Sequence, residues 1–157
     1  MTPELLTRIA IDPALSLLPP RMDSRAARVL MLAIAGQESA MRHRRQIRGP
    51  ARGFWQFEQG GGVAGVLRHA QSKPHIRSVL RALHYPATST AADCYIAIEH
   101  NDVLAAAFAR LLLWTDPAPL PTDAAGGWSL YLRTWRPGKP HPDTWAGHFA
   151  RATEAVG

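Results

Sequence analysis

Glu38 lies in Gly36-Gln37-Glu38-Ser39, at the end of an apolar run, and Gly53-Phe54-Trp55-Gln56-Phe57 begins fifteen residues after it. Breaking a bond to a poor leaving oxygen needs a proton donor, and a carboxyl donates near neutrality only if its pKa is raised. Withdrawal from water raises it. A helix C-terminus adds to this, because its partial negative charge disfavours the ionised form. A facing segment of aromatic rings and a glutamine can stack on a saccharide and hydrogen-bond it. Residue types and spacing therefore point to glycosidic cleavage, with Glu38 as proton donor and Phe54, Trp55 and Gln56 as the substrate wall. The intervening loop carries Arg42-His43-Arg44-Arg45, Arg48 and Arg52. These cations oppose the shift if they reach the carboxyl.

The elements that must hold these residues read mostly as helices. Ser24 or Asp23 caps the strongest one, in which Ala26, Leu30, Ala33, Ile34, Gln37, Glu38 and Met41 recur at three- and four-residue steps. Glu38 shares the face of Leu30 and Ile34 and is directed inward. Before it, Thr2 caps a short helix over 3–10 that Pro13 interrupts, Asp12-Pro13 can restart a turn of helix toward Leu18, and Pro19-Pro20 is a stop. After it, Phe54–Phe57 reads as a small strand or hairpin, with Phe54 and Gln56 on one face and Trp55 and Phe57 on the other. Gly60-Gly61-Gly62 then makes a flexible turn. Helical patterns follow at 63–71, 74–84, 90–99, 102–114, 123–135 and 143–155. Ser72, Ser89 or Thr90, and Asn101 are candidate caps, and 102–114 is apolar enough to be a central helix. No repeat or long linker divides the chain, so 1–157 is expected to be one domain, mainly α, with one minor β element.

Composition agrees with a folded globule: 157 residues, 46% hydrophobic, net charge +6. The apolar stretches Val29–Ala35 and Val103–Trp114 are too short or interrupted to span a bilayer. The first residues lack the pattern of a signal peptide, so synthesis in the cytoplasm is expected. Cys94 stands alone and excludes an internal disulfide framework. It reads as a small core residue. His69, His75, His84, His141 and His148 lack metal-ligand spacing, so no metal and no cofactor are expected. The basic balance suits an anionic partner.

Glu38-Ser39 followed by Gly53-Phe54-Trp55-Gln56 resembles the two leading motifs of soluble lytic transglycosylases of the goose-lysozyme-like kind. Those motifs are a Glu-Ser ending a buried helix and a Gly-Leu-Met-Gln-like stretch after a loop. The close likeness covers roughly residues 29–57. It implies a lysozyme-like α+β fold with a saccharide groove, and cleavage of the β-1,4 bond between N-acetylmuramic acid and N-acetylglucosamine of peptidoglycan. It implies Glu38 as acid then base, and Ser39, Phe54, Trp55 and Gln56 at the substrate. A third family motif, Ala-Tyr-Asn-x-Gly, is not intact. Tyr131, in Tyr131-Leu132-Arg133-Thr134-Trp135, stands nearest to it without the asparagine, and the resemblance implies it as the tyrosine near the catalytic carboxyl, at the substrate. The compact basic chain looks like a phage or prophage protein that reaches the wall on release or with a virion.

Ordinary glycosidases use two carboxylates, about 5–5.5 Å or about 6.5–9.5 Å apart. The family resembled here uses one, and the sugar's 6-hydroxyl attacks to give a 1,6-anhydro product. Apart from Glu38, Glu58 is the only acidic residue between Asp23 and Asp93. It reads first as a solvent-facing residue; facing the cleft, it would be the second carboxylate of a hydrolase. Two other readings stand beside these. One is a glycan-binding or virion component with the reaction lost, and the broken third motif favours it. The other is a nucleic-acid module built on the early arginines, which only charge supports. Glu38 itself could be a buried group bonding backbone amides, and Trp128, Tyr131 and Trp135 could be core rather than sugar platform.

Overall fold

The computed structural model describes residues 1–157 and is mainly helical, with almost no strand. Its helices are α1 (Pro3–Leu6), α2 (Asp12–Ser16), α3 (Arg25–Ser39), α4 (Ala64–Arg68), α5 (Lys73–Ala82), α6 (Ala91–His100), α7 (Asp102–Trp114), α8 (Ala124–Trp135) and α9 (Pro142–Val156). The stable ends are chemical. Thr2, Ser24, Thr90, Asn101 and Asp123 each accept a backbone N–H of the helix they begin, and Thr90 forms a reciprocal box with Asp93. Ser72 is not such a cap. Its hydroxyl donates instead to Val66 O at 2.7 Å.

Pro13 does not interrupt the first helical segment as expected. The chain passes from α1 through a π-turn, Thr7–Ile11, directly into α2. A proline clashes with the carbonyl four residues before it, and the wider π-turn lies where that carbonyl would be. A second π-turn, Gln59–Val63, replaces the expected glycine turn and leads into α4.

Ten residues of α7 are buried, and it touches α2, α3, α4, α5, α6 and α8, so it is the central helix. Helix α3 packs most extensively on α9. One continuous apolar core runs from Leu6 to Ala152. Cys94 is inside it, with its thiol pushed up to about 11, first by burial.

The expected β element is smaller than a strand. Residues 53–56 form a turn closed by paired backbone bonds between Arg52 and Phe57, at 2.9 and 2.8 Å, and a second isolated bridge joins Arg45 to Arg52. Gly53 (φ 74°) and Gln56 (φ 52°) both lie in the left-handed region. Aromatic residues favour strands, but two left-handed positions in four residues force a turn. The expected two-face alternation fails with it.

Candidate functional site

Glu38 is in the last turn of α3 and half-buried. Tyr131, from α8, donates its hydroxyl to Glu38 Oε1 at 2.7 Å. The carboxyl's pKa is pushed up to about 7. Burial is the main cause, the negative charge of Glu58 adds to it, and the Tyr131 hydrogen bond works against it by favouring the carboxylate. Tyr131 itself is buried, and its own pKa is raised by burial, by the charge of Glu38 and by their shared bond. Near neutral pH Glu38 therefore exists in both protonation states, which is what a group that gives and then retrieves a proton requires.

The arginines that follow α3 in sequence do not act on this carboxyl. Arg44 pairs with Asp102 at 2.8 Å, and Arg45 and Arg52 both pair with Glu99, at 2.8 and 3.0 Å. Arg44 also lies over the Phe54 ring, and Arg52 over Tyr95. Helices α6 and α7 thus draw these cations away from the end of α3.

The residues expected to line the substrate wall divide sharply. Phe54 is 1% exposed and Trp55 0%, so neither presents a ring to solvent; both belong to the core. Trp55 donates its indole N–H to Met31 O at 2.8 Å, within α3. Ser39 is also buried, with its hydroxyl 2.7 Å from Phe54 O while it accepts the Met41 N–H. These three residues hold the 53–57 turn against the end of α3 rather than touching a ligand. Gln56 differs. Its amide donates to Gly53 O at 2.8 Å, while Oε1 takes no bond within the protein and is not sealed from solvent. Glu58 is exposed, and its charge is felt at Glu38. Of the polar residues expected at the site, Glu38, Gln56 and Glu58 are therefore the ones not sealed in the core.

An aromatic wedge braces the site from behind. Trp145 of α9 stacks on Tyr131 at 5.4 Å and 14°, and Trp128 lies 5.3 Å from the Tyr131 ring. Trp135 donates its indole N–H to Trp55 O at 2.9 Å, tying α8 to the turn. Sequence reasoning found Tyr131 but not the parts of Trp145 and Trp135. The shared helical spacing of Trp128, Tyr131 and Trp135 was the available signal; Trp145 has none.

The saccharide groove implied by the resemblance is not among the two described concavities. One, of about 360 Å³, opens between α3 and α9, and the other, of about 60 Å³, near Arg25 and Pro121; neither is lined by Glu38, Gln56 or Glu58. Among His, Cys, Asp and Glu side chains no group of three is placed to hold a metal. No helix is long and apolar enough to cross a membrane. Compared with models of protein families, with curated proteins and with solved structures, the chain gives no match, so the reading of this site rests on its own geometry.

Proposed function

We propose that the protein is a lytic transglycosylase that cleaves the β-1,4 bond between N-acetylmuramic acid and N-acetylglucosamine in peptidoglycan strands, with Glu38 as its single catalytic carboxyl. The observation that supports this is the half-buried Glu38, poised to titrate at about 7 and held by Tyr131. The protonated carboxyl gives its proton to the bridging oxygen as the bond from that oxygen to the anomeric carbon breaks. The resulting carboxylate then takes the proton of the sugar's 6-hydroxyl as that oxygen closes on the anomeric carbon, leaving a 1,6-anhydro end. Tyr131 donates to the carboxylate and steadies it between the two steps. Gln56, whose Oε1 takes no bond within the protein, would hydrogen-bond the glycan. The site of action is the cell wall, reached on release from a cell or with a phage particle.

A second reading rests on Glu58. Its charge acts on Glu38, so a water activated by Glu58 would make the enzyme a lysozyme-type hydrolase. Incubation of purified sacculi with wild type, Glu38→Gln and Glu58→Gln tests both readings. The transglycosylase reading expects turbidity loss and anhydro-ended fragments by mass spectrometry, a loss of rate on the order of 10²–10⁴-fold in Glu38→Gln, and activity kept in Glu58→Gln. Reducing-end fragments and an inactive Glu58→Gln would favour hydrolysis. Equal activity of wild type and Glu38→Gln would remove both. Binding of muropeptides without turnover would leave a glycan-binding protein.

A further inference from the structure

The cavity between α3 and α9 is bordered by Gly36 of α3, by Met41 and Arg42 just beyond it, and by His148, Arg151 and Ala152 of α9. Gly36 and Glu38 are two residues apart on a helix, about 200° around its axis. The cavity therefore opens on the side of α3 away from the carboxyl, and no step of the proposed reaction uses it.

Three basic side chains meet there without an acid to balance them. None of the ion pairs of the molecule includes Arg42, His148 or Arg151. Arg151 donates to His148 Nδ1 at 2.9 Å, which requires that nitrogen to carry a lone pair. The His148 pKa is correspondingly lowered, by burial and then by Arg151, with no carboxylate acting on it. Elsewhere the fold places acids against its clustered arginines, as Asp102 and Glu99 do for Arg44, Arg45 and Arg52.

The backbone is also shaped to make this space. A Cβ on Gly36 would lie 2.6 Å from His148 Nδ1, so only glycine lets the imidazole seat against α3. Ala40 (φ 50°) and Met41 (φ 54°) are consecutive non-glycine residues in the left-handed region. Ala40 ends α3 as a left-handed cap, its N–H bonded to Ala35 O and Gly36 O, and Met41 continues that conformation. Here it turns the chain so that Arg42 borders the cavity. The volume falls within the roughly 300–1,000 Å³ of small-molecule sites and exceeds what a bare phosphate fills. The remaining side chains of the lining, those of Met1, Pro3, Ala40, Met41 and Ala152, are apolar.

We propose that this cavity binds a phosphate ester, the phosphate between Arg42 and Arg151 and the ester's organic portion against Met41 and Ala152. The chemistry serves a soluble phosphomonoester or a phospholipid headgroup. The site is independent of the proposed cleavage reaction. Isothermal titration of the full chain with glycerol 3-phosphate, in parallel with sedimentation on vesicles of phosphatidylglycerol and of phosphatidylcholine, tests it. The expected result is saturable 1:1 binding of glycerol 3-phosphate or selective binding to the phosphatidylglycerol vesicles; which arm responds identifies the source. The Arg42→Ala/Arg151→Ala variant should bind at least tenfold more weakly. An Arg68→Ala/Arg81→Ala control, which removes the same charge from other exposed positions, should bind as wild type, and so should Glu38→Gln. All four side chains altered to alanine are exposed, so circular dichroism should be unchanged. Equal weakening in both double variants would mean general electrostatics, and it would overturn the proposal, as would the absence of binding in both arms.

Discussion

Two regions meet at the end of α3, and they are built from opposite materials. On one side, the buried rings of Trp55, Tyr131 and Trp145 and the half-buried Trp135 form a set joined by neutral hydrogen-bond donors, which meets Glu38 through the Tyr131 hydroxyl. On the other, Arg44, Arg45 and Arg52 pair with Asp102 and Glu99 near the surface. Sequence proximity would give the arginines control over Glu38, since they follow it within fifteen residues. Control belongs instead to burial and to Tyr131 of α8, 93 positions away. A charge acts through space and through whatever else has already neutralised it. Paired to α6 and α7, the arginines leave the carboxyl to burial.

The largest expected effect is at the centre of the apolar side. Trp55→Ala removes a fully buried indole, its bond to Met31 O and the footing of the 53–57 turn. It should destabilise the fold by about 3–5 kcal/mol, read by chemical denaturation. A variant near wild-type stability would mean that the wedge is not the foundation of this region.

Glu38 comes next. Its folded pKa, about 7, stands above the ordinary 4.5. Across that window the folded chain keeps a proton that the unfolded chain has released. Stability contributed by the neutral acid is thus full below pH 4.5, falls as pH rises to 7, and is gone above it. Glu38→Gln fixes the neutral form and should be more stable than wild type at pH 8 by about 2–3 kcal/mol, with the difference closing by pH 4.5. Parallel stability curves over that range would contradict burial as the cause.

Tyr131→Phe sharpens the comparison at smaller scale. Loss of a donor to the carboxylate should raise the Glu38 pKa further, moving the alkaline fall of kcat/KM upward by about one pH unit, equivalent to about 1.4 kcal/mol. The smallest effect belongs to the charged side. Glu99→Gln should lower Tm slightly, the loss should vanish in high salt, and the pH profile should not move. A displaced profile would show that the arginine side reaches Glu38 after all.

The helices were readable because apolar residues recur at helical intervals and because Ser24, Thr90 and Asn101 are good capping residues standing where the periodicity begins. Glu38 was readable for the same reason: its position on the face of Leu30 and Ile34 fixes which way it points. The turn at 53–56 was not, because the β-propensity of Phe54, Trp55 and Phe57 is visible in sequence whereas the left-handed backbone at Gln56 is not. The same turn explains why Phe54 and Trp55 are core and not wall. Trp145 escaped because its partner Tyr131 lies on another helix, and nothing local records a ring stacked across two elements. The α3–α9 cavity escaped because Arg42 and Arg151 are over a hundred residues apart.

The hydrogen bond between Glu38 and Tyr131 spans 93 residues of chain. Closing so long a loop comes late, after local helices have formed. A growing polypeptide that has completed α3 but not yet docked α8 and α9 carries at position 38 an ordinary hydrated acid, ionised at cellular pH. The unusual proton affinity arrives only with the last helices to be made, so whatever chemistry it serves is switched on by the completion of folding.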